Sequence, residues 1–219
     1  MKSKSAGIGV SLVLAALGGA LGAETLRNHF DTDSIMRPPG FFDFAVLGAP
    51  GAARWLILSD RNPPSAPNCL SQTGSTRPAD SIAVALRRNQ VFQDGTVATF
   101  VKRGAGRSGL LLRMADEKNF LVLLADTGTG ETVLWSYQEG KPAELGRGRA
   151  PFERGWEELG VTATGPKLTV LFNDQKLFEA ADPRPVAGRT GLATAGPGEA
   201  RFDEFLIDPA DASPPAVSG

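Results

Sequence analysis

The chain has 219 residues, with 23 Lys and Arg against 24 Asp and Glu and a formal net charge of −1. So balanced a charge, with no basic stripe to neutralise phosphates, excludes a nucleic-acid partner. The single cysteine, Cys69, excludes an intramolecular disulfide, so the fold must rest on apolar burial, for which the chain is long enough.

At the N-terminus, Lys2 and Lys4 precede an apolar stretch from Gly7 that ends in Leu21-Gly22-Ala23. A basic segment, a short apolar segment and small residues at its end are the layout of a secretory signal peptide. Residues 1–23 are therefore read as a leader cut after Ala23 or Gly22, and the mature chain as periplasmic or secreted. The stretch is weakly hydrophobic and falls short of the roughly 20 apolar residues a membrane span needs. No span is expected in the mature chain. Without the two leader lysines, 21 basic residues face 24 acidic ones and the net charge becomes about −3. Arg87-Arg88 and the Arg147/Arg149 pair are short and read as solvated surface.

Beyond residue 24, short apolar runs are broken by Gly, Pro, Asn and Asp at intervals of roughly eight to twelve residues. That spacing belongs to an all-β sandwich or barrel. Residues 59–80, "SDRNPPSAPNCLSQTGSTRPAD", form a long excursion rich in proline and small polar residues, a candidate functional loop. Cys69 lies inside it and reads as a buried small hydrophobe, with intermolecular pairing as the alternative. "GTVATFVKR" then alternates as a strand.

Residues 103–130, "RGAGRSGLLLRMADEKNFLVLLADTGTG", contain two enzyme signatures. Gly104, Gly106 and Gly109 spell the dinucleotide-binding fingerprint, which requires a helix after the third glycine. The polar block 115–119 is longer than one helical turn, so no single face stays apolar. The segment reads as a hairpin. Asp126-Thr127-Gly128 after an apolar run resembles an aspartic-protease turn, but that mechanism needs a second carboxylate sharing a proton. The chain has one such motif, and a hairpin turn is the preferred reading.

Three strands are expected in 158–180, joined at Gly165-Pro166 and Asn173-Asp174, with two more in "RTGLATAG" and "ARFDEFLID". "DASPPAVSG" reads as a disordered tail. His29 is the only histidine, which starves Ser-His-Asp, Cys-His and zinc chemistry alike. Loop carboxylates leave calcium open. No residue is assigned a catalytic role.

The order of "WLILSDRNPPSAPNCLSQ", "DGTVATFVKRGAGRSGLLLRMADEKNFLVLLAD", "GWEELGVTATGPKLTVLFNDQKLFEAAD" and "AGRTGLATAGPGEARFDEFLID" resembles the concanavalin A-like lectin/glucanase superfamily. The likeness is to its laminin-G-like and 3-keto-disaccharide-hydrolase-like (DUF1080) domains in exported bacterial proteins, and it covers residues 41–208. It implies a two-sheet antiparallel β-sandwich, a jelly roll, occupying 24–208 as one domain before the tail at 209–219. It also implies a front sheet that carries a sugar or glycan groove. The chain departs from the pattern after Asn119, where Phe120-Leu121 replaces a pair of tyrosines. The acid motif of the glucanases is absent too.

Strict alternation in 109–114 sends Leu110, Leu112 and Met114 to the sandwich core and Arg113 outward. There a guanidinium could meet a sugar or carboxylate, a structural ion pair being the alternative. Val133, Trp135 and Tyr137 share one face of the next strand. Arg113, Trp135 and Tyr137 are thus the candidate ligand-binding residues, with Trp135 as core or edge cover the alternative. Trp55 and Trp156 are assigned to the core. The expected function is an exported glycan-binding module without catalysis. A glycoside-cleaving enzyme and a laminin-G-like protein-interaction module acting through 59–80 are its rivals.

Overall fold

Two tight turns set one half of the architecture. Asn173 and Asp174 take positive φ, 49° and 62°, as a two-residue type I′ hairpin requires. Gly165, at φ 54°, opens the turn before it. The computed structural model describes residues 24–75, 80–104, 106–196 and 198–210. The expected leader and nearly all of the tail lie outside them.

In chain order the strands are β1 (Leu26–Asn28), β2 (Phe42–Leu47), β3 (Ala53–Ser59), β4 (Asn68–Ser75) and β5 (Ile82–Arg87). β6 (Gly95–Lys102), β7 (Arg107–Asp116), β8 (Asn119–Asp126), β9 (Glu131–Gln138) and β10 (Lys141–Arg149) follow. The last five are β11 (Trp156–Thr164), β12 (Lys167–Phe172), β13 (Gln175–Ala181), β14 (Arg189–Ala195) and β15 (Ala200–Pro209). One sheet has the order β13-β12-β11-β6-β15-β4-β3, with β1 alongside β15; the other has the order β10-β9-β8-β7-β14-β5-β2. Every named pair is antiparallel, and the molecule is an all-β, two-sheet sandwich of the jelly-roll kind.

Between the sheets lies a core fed from both, including Leu110, Leu112, Leu121, Leu123 and Leu134 from one and Val97, Leu159, Val170 and Phe202 from the other. Trp55 is buried there, between Phe44 and Phe202 at 6.0 and 5.9 Å. Trp156 departs from its expected place. It starts β11 half-buried beneath Lys102, whose Nζ stands 5.7 Å from the ring centroid, and it belongs to neither apolar cluster.

A second apolar cluster draws on the strands of one sheet alone. Leu47, Val84, Leu111, Phe120 and Val122 are among its members, so it coats that sheet's outer face. β5 and β8 are consequently apolar on both faces, the pattern of strands covered on two sides.

The excursion at 59–80 is shorter than its composition suggested. β4 occupies residues 68–75, and the irregular part before it spans residues 60–67; residues 76–79 lie outside the described residues. Asn68, Ser71, Gly74 and Ser75 conceal this strand from a propensity reading; pairing with β3 and β15 forms it nonetheless. Cys69 is fully buried within it, and burial pushes its thiol pKa up. It packs as a small hydrophobe.

The 60–67 loop is tied down by carboxylates. Asp203 accepts the Ser65 N–H at 2.7 Å and the Glu204 N–H at 2.8 Å, and Asp31 accepts the Ser65 hydroxyl. Burial raises the Asp203 pKa from 3.8 to about 7, against the lowering effect of those backbone donors. The folded state therefore holds this proton while the unfolded chain gives it up. The stability this contributes is complete below about pH 4 and is lost as pH rises through 7. Denaturant melts at pH 5 and pH 8 should show a loss in the native chain that Asp203→Asn largely removes.

Candidate functional site

The β7–β8 hairpin is where alternation fails. Leu112 pairs with Leu121, yet Asp116 pairs with Asn119, so β7 carries two extra residues between the two pairs. Arg113 sits in this bulge with a left-handed φ of 49°. A bulge re-aims the side chains that follow it. Met114 accordingly joins Leu111 on the outer face instead of entering the sandwich core.

Arg113 is corrected likewise. Its side chain is 1% exposed and turns toward the opposite sheet. It donates to Asp182 Oδ2 at 2.7 Å, Asp94 Oδ1 at 3.2 Å and the Gly165 carbonyl at 2.8 Å. Two further bonds, at 2.9 and 2.6 Å, reach the Gln93 carbonyl. All four partners flank strands of the other sheet. The guanidinium is a clasp between the layers, with each of its three nitrogens bonded within the protein.

Gly188 makes the bulge possible. A Cβ at this position would stand 2.4 Å from the Arg113 carbonyl carbon and 2.6 Å from the Met114 nitrogen. Because these are backbone atoms, Gly188→Ala should cost about 1–3 kcal/mol, measurable as a shift in the urea midpoint without a change in slope.

Beside the clasp lies a pocket of about 340 Å³. Its walls are the end of β7, the start of β8, the end of β9 and the 182–186 segment that leads from one sheet to the other. Phe120 and Tyr137, directly opposed on β8 and β9, stack with centroids 4.5 Å apart and planes 14° apart. Tyr137 is half-buried. Burial raises its pKa, so the hydroxyl stays protonated at neutral pH, and it has no hydrogen-bond partner among the described residues.

Polar groups around this aromatic step are held in place by one asparagine. Asn119 Oδ1 accepts from Arg184 Nη2 at 2.9 Å and from the Glu139 N–H at 3.1 Å. Its Nδ2 donates to both Asp116 oxygens at 2.9 Å. The Lys118 N–H and then the Asn119 amide hold the exposed Asp116 carboxyl below the usual range, so it is ionised at neutral pH. The pocket thus offers a carboxylate acceptor, a guanidinium and amide donor and a phenol beside a stacked ring pair.

Of the residues singled out in the sequence, Tyr137 lines this pocket and Trp135 lies on the same outer face beyond it. Arg113 contributes to the wall, but its guanidinium is committed elsewhere. Asp116, Asn119, Phe120 and Arg184 were not expected at a site. The first two looked like an ordinary polar hinge, and Arg184 sits in a Pro-flanked loop without any pattern.

The two enzyme signatures resolve as turns. β7 begins at Arg107, so a strand follows the glycines where the fingerprint needs a helix. Asp126 accepts the Gly128 and Thr129 N–H groups, each at 2.9 Å, as the cap of the β8–β9 turn. Among the described residues, no three His, Cys, Asp or Glu side chains come together as metal ligands. No helix among them is long and apolar enough to cross a membrane.

No family model matches the chain, and no curated protein matches it in sequence. Solved structures do. The carbohydrate-binding module CBM66 from Bacillus subtilis superposes with a TM-score of 0.57 at 15% identity, over 76% of this chain and 95% of that one. The likeness is one of fold, a two-sheet antiparallel β-sandwich. A Bacillus subtilis protein of unknown function with a galectin-like fold gives 0.58 at 14% identity, over 88% and 99% of the two chains. The Bacillus licheniformis β-glucanase gives 0.55 at 8% identity, over 86% and 99%. One sandwich therefore carries both sugar binding and sugar cleavage in other proteins, and the fold alone does not choose between them.

Proposed function

We propose that this protein is an exported carbohydrate-binding module whose site is the pocket beside Phe120 and Tyr137. The observation that carries the reading is the stacked ring pair ringed by Asp116, Asn119 and Arg184. Ligand sites join an apolar wall to a few placed polar groups, and sugars present the matching surfaces, C–H faces and hydroxyl edges. The neighbouring carbohydrate-binding module of the same fold adds support.

Binding without cleavage is the form of the activity we favour. A glycosidase sets a protonated acid beside a second carboxyl group. Three carboxylates line this pocket: Asp116 is held ionised and bonded to Asn119, Asp182 is occupied by Arg113, and Glu139 stands exposed at the β9–β10 turn. The N-terminal leader pattern supports an extracytoplasmic location.

Isothermal titration against β-1,3-1,4-glucan oligosaccharides and a panel of neutral oligosaccharides tests this reading. Saturable binding to at least one, with no reducing ends released on incubation, is expected. Silence across the panel would overturn sugar binding, and released reducing ends would overturn the non-catalytic part.

A further inference from the structure

β3 is the last strand of its sheet, and part of its free edge is covered by the chain that precedes β2. The Met36 N–H donates to the Ile57 carbonyl at 2.8 Å, and the Ile57 N–H donates to the Arg37 carbonyl at 2.9 Å. The backbone groups of Ile57 therefore point away from β4. Every second residue of an antiparallel ladder points the same way, and the β3–β4 register is regular from Arg54 to Ser59. Trp55 thus turns its N–H and carbonyl outward too, and neither has a partner among the described residues.

The covering segment stops short of Trp55 for a chemical reason. Pro38 and Pro39 follow Arg37, and proline has no N–H with which to continue the pairing. Here the edge opens into a groove of about 730 Å³ whose walls include Met36, Pro38, Phe44 and Trp55. Ile35 and Met36 beside it are 52% and 57% exposed, so the groove is open to solvent. The buried indole N–H of Trp55 is a further donor without a partner among the described residues. The charge of the groove has one sign. Arg37 and Arg54 line it, both exposed and neither guanidinium paired among the described residues, and no carboxylate joins them.

We propose that this edge binds an extended acidic segment of a protein partner, which adds to the sheet as a strand beside Trp55. Strand addition supplies the backbone pairing that Trp55 lacks, and carboxylates on the added strand meet Arg37 and Arg54. A second copy of the chain fits poorly. Pairing edge to edge about a two-fold axis would bring the arginines of one copy against those of the other. The groove shares no lining residue with the pocket beside Phe120 and Tyr137, so partner and sugar occupy separate places.

The test titrates the full chain by calorimetry with four blocked octapeptides. The first alternates Glu and Val, and the second replaces every Glu by Lys. The other two are the Glu-Val peptide N-methylated on all its Glu or on all its Val residues. A strand added at an edge turns every second N–H toward it. Methylation of one set should therefore abolish binding, and methylation of the other should be tolerated. The Glu peptide should bind about tenfold more tightly than the Lys peptide, and Arg54→Glu, at an exposed position, should reverse that order. Methylated forms that bind alike, whether well or not at all, would overturn strand addition. Equal binding of the Glu and Lys peptides would overturn the acidic partner. No binding of any peptide would overturn the proposal outright, and a chain that then sediments as a dimer would give the edge to a second copy.

Discussion

Arg113→Ala is expected to destabilise the protein by about 3–5 kcal/mol, the cost of stranding a buried charge partner. For a chain near this length that corresponds to a melting temperature lower by on the order of 10 °C. The reason lies in what the guanidinium leaves behind. Asp182 is 4% exposed and loses its cation, while the Gln93 and Gly165 carbonyls lose donors in the seam between the sheets. The double variant Arg113→Met, Asp182→Leu should recover much of the loss, because an apolar pair of similar volume incurs no charge desolvation. Thermal and urea melts of the three proteins read this directly. An Arg113→Ala protein as stable as the parent would mean that the clasp does not hold the layers. Arg113 would then be available to a ligand, as strict alternation along β7 implies.

The second large effect is on binding. Tyr137→Ala should weaken sugar affinity by about 30-fold, or about 2 kcal/mol, the scale of a central aromatic contact. It removes both the ring stacked on Phe120 and the only phenol in the chain. Tyr137→Phe keeps the stack and deletes the hydroxyl, so the two variants separate ring from hydrogen bond. Only the hydroxyl's share should be lost in Tyr137→Phe. Stability should change little in Tyr137→Phe and fall by about 1–2 kcal/mol in Tyr137→Ala, which removes a half-buried stacked ring. Wild-type affinity in Tyr137→Ala would move the site off this pocket.

How far the sequence spoke for itself differs from element to element. The β11–β12–β13 meander was legible because its turns are chemical: Gly165 and the Asn173-Asp174 pair supply the positive φ that such hairpins demand. The β7–β8 hairpin was legible for a similar reason, a polar block too long for a helical face. β4 was not, because Asn68, Ser71, Gly74 and Ser75 interrupt its pattern and pairing with two neighbours holds it in a strand.

Arg113 shows the limit most clearly. The parity argument that sent it outward is sound for a regular strand. One extra residue between Leu111 and Met114 reverses the parity, and that count depends on which residue of β14 pairs with which of β7. One chain segment read alone does not contain it. The site follows the same division. Tyr137 was visible from two-residue spacing. Arg184 and Asn119 meet across 65 positions of sequence, a contact that only the crossing from one sheet to the other creates.

The most direct test of sugar binding at the Phe120–Tyr137 step is a map of amide chemical-shift changes during titration with the tightest-binding oligosaccharide. The largest changes are predicted at Asp116, Asn119, Phe120, Tyr137 and Arg184, with the 60–67 loop undisturbed. Changes centred on that loop, with the pocket silent, would contradict the account and point to a protein-interaction module acting through its loops.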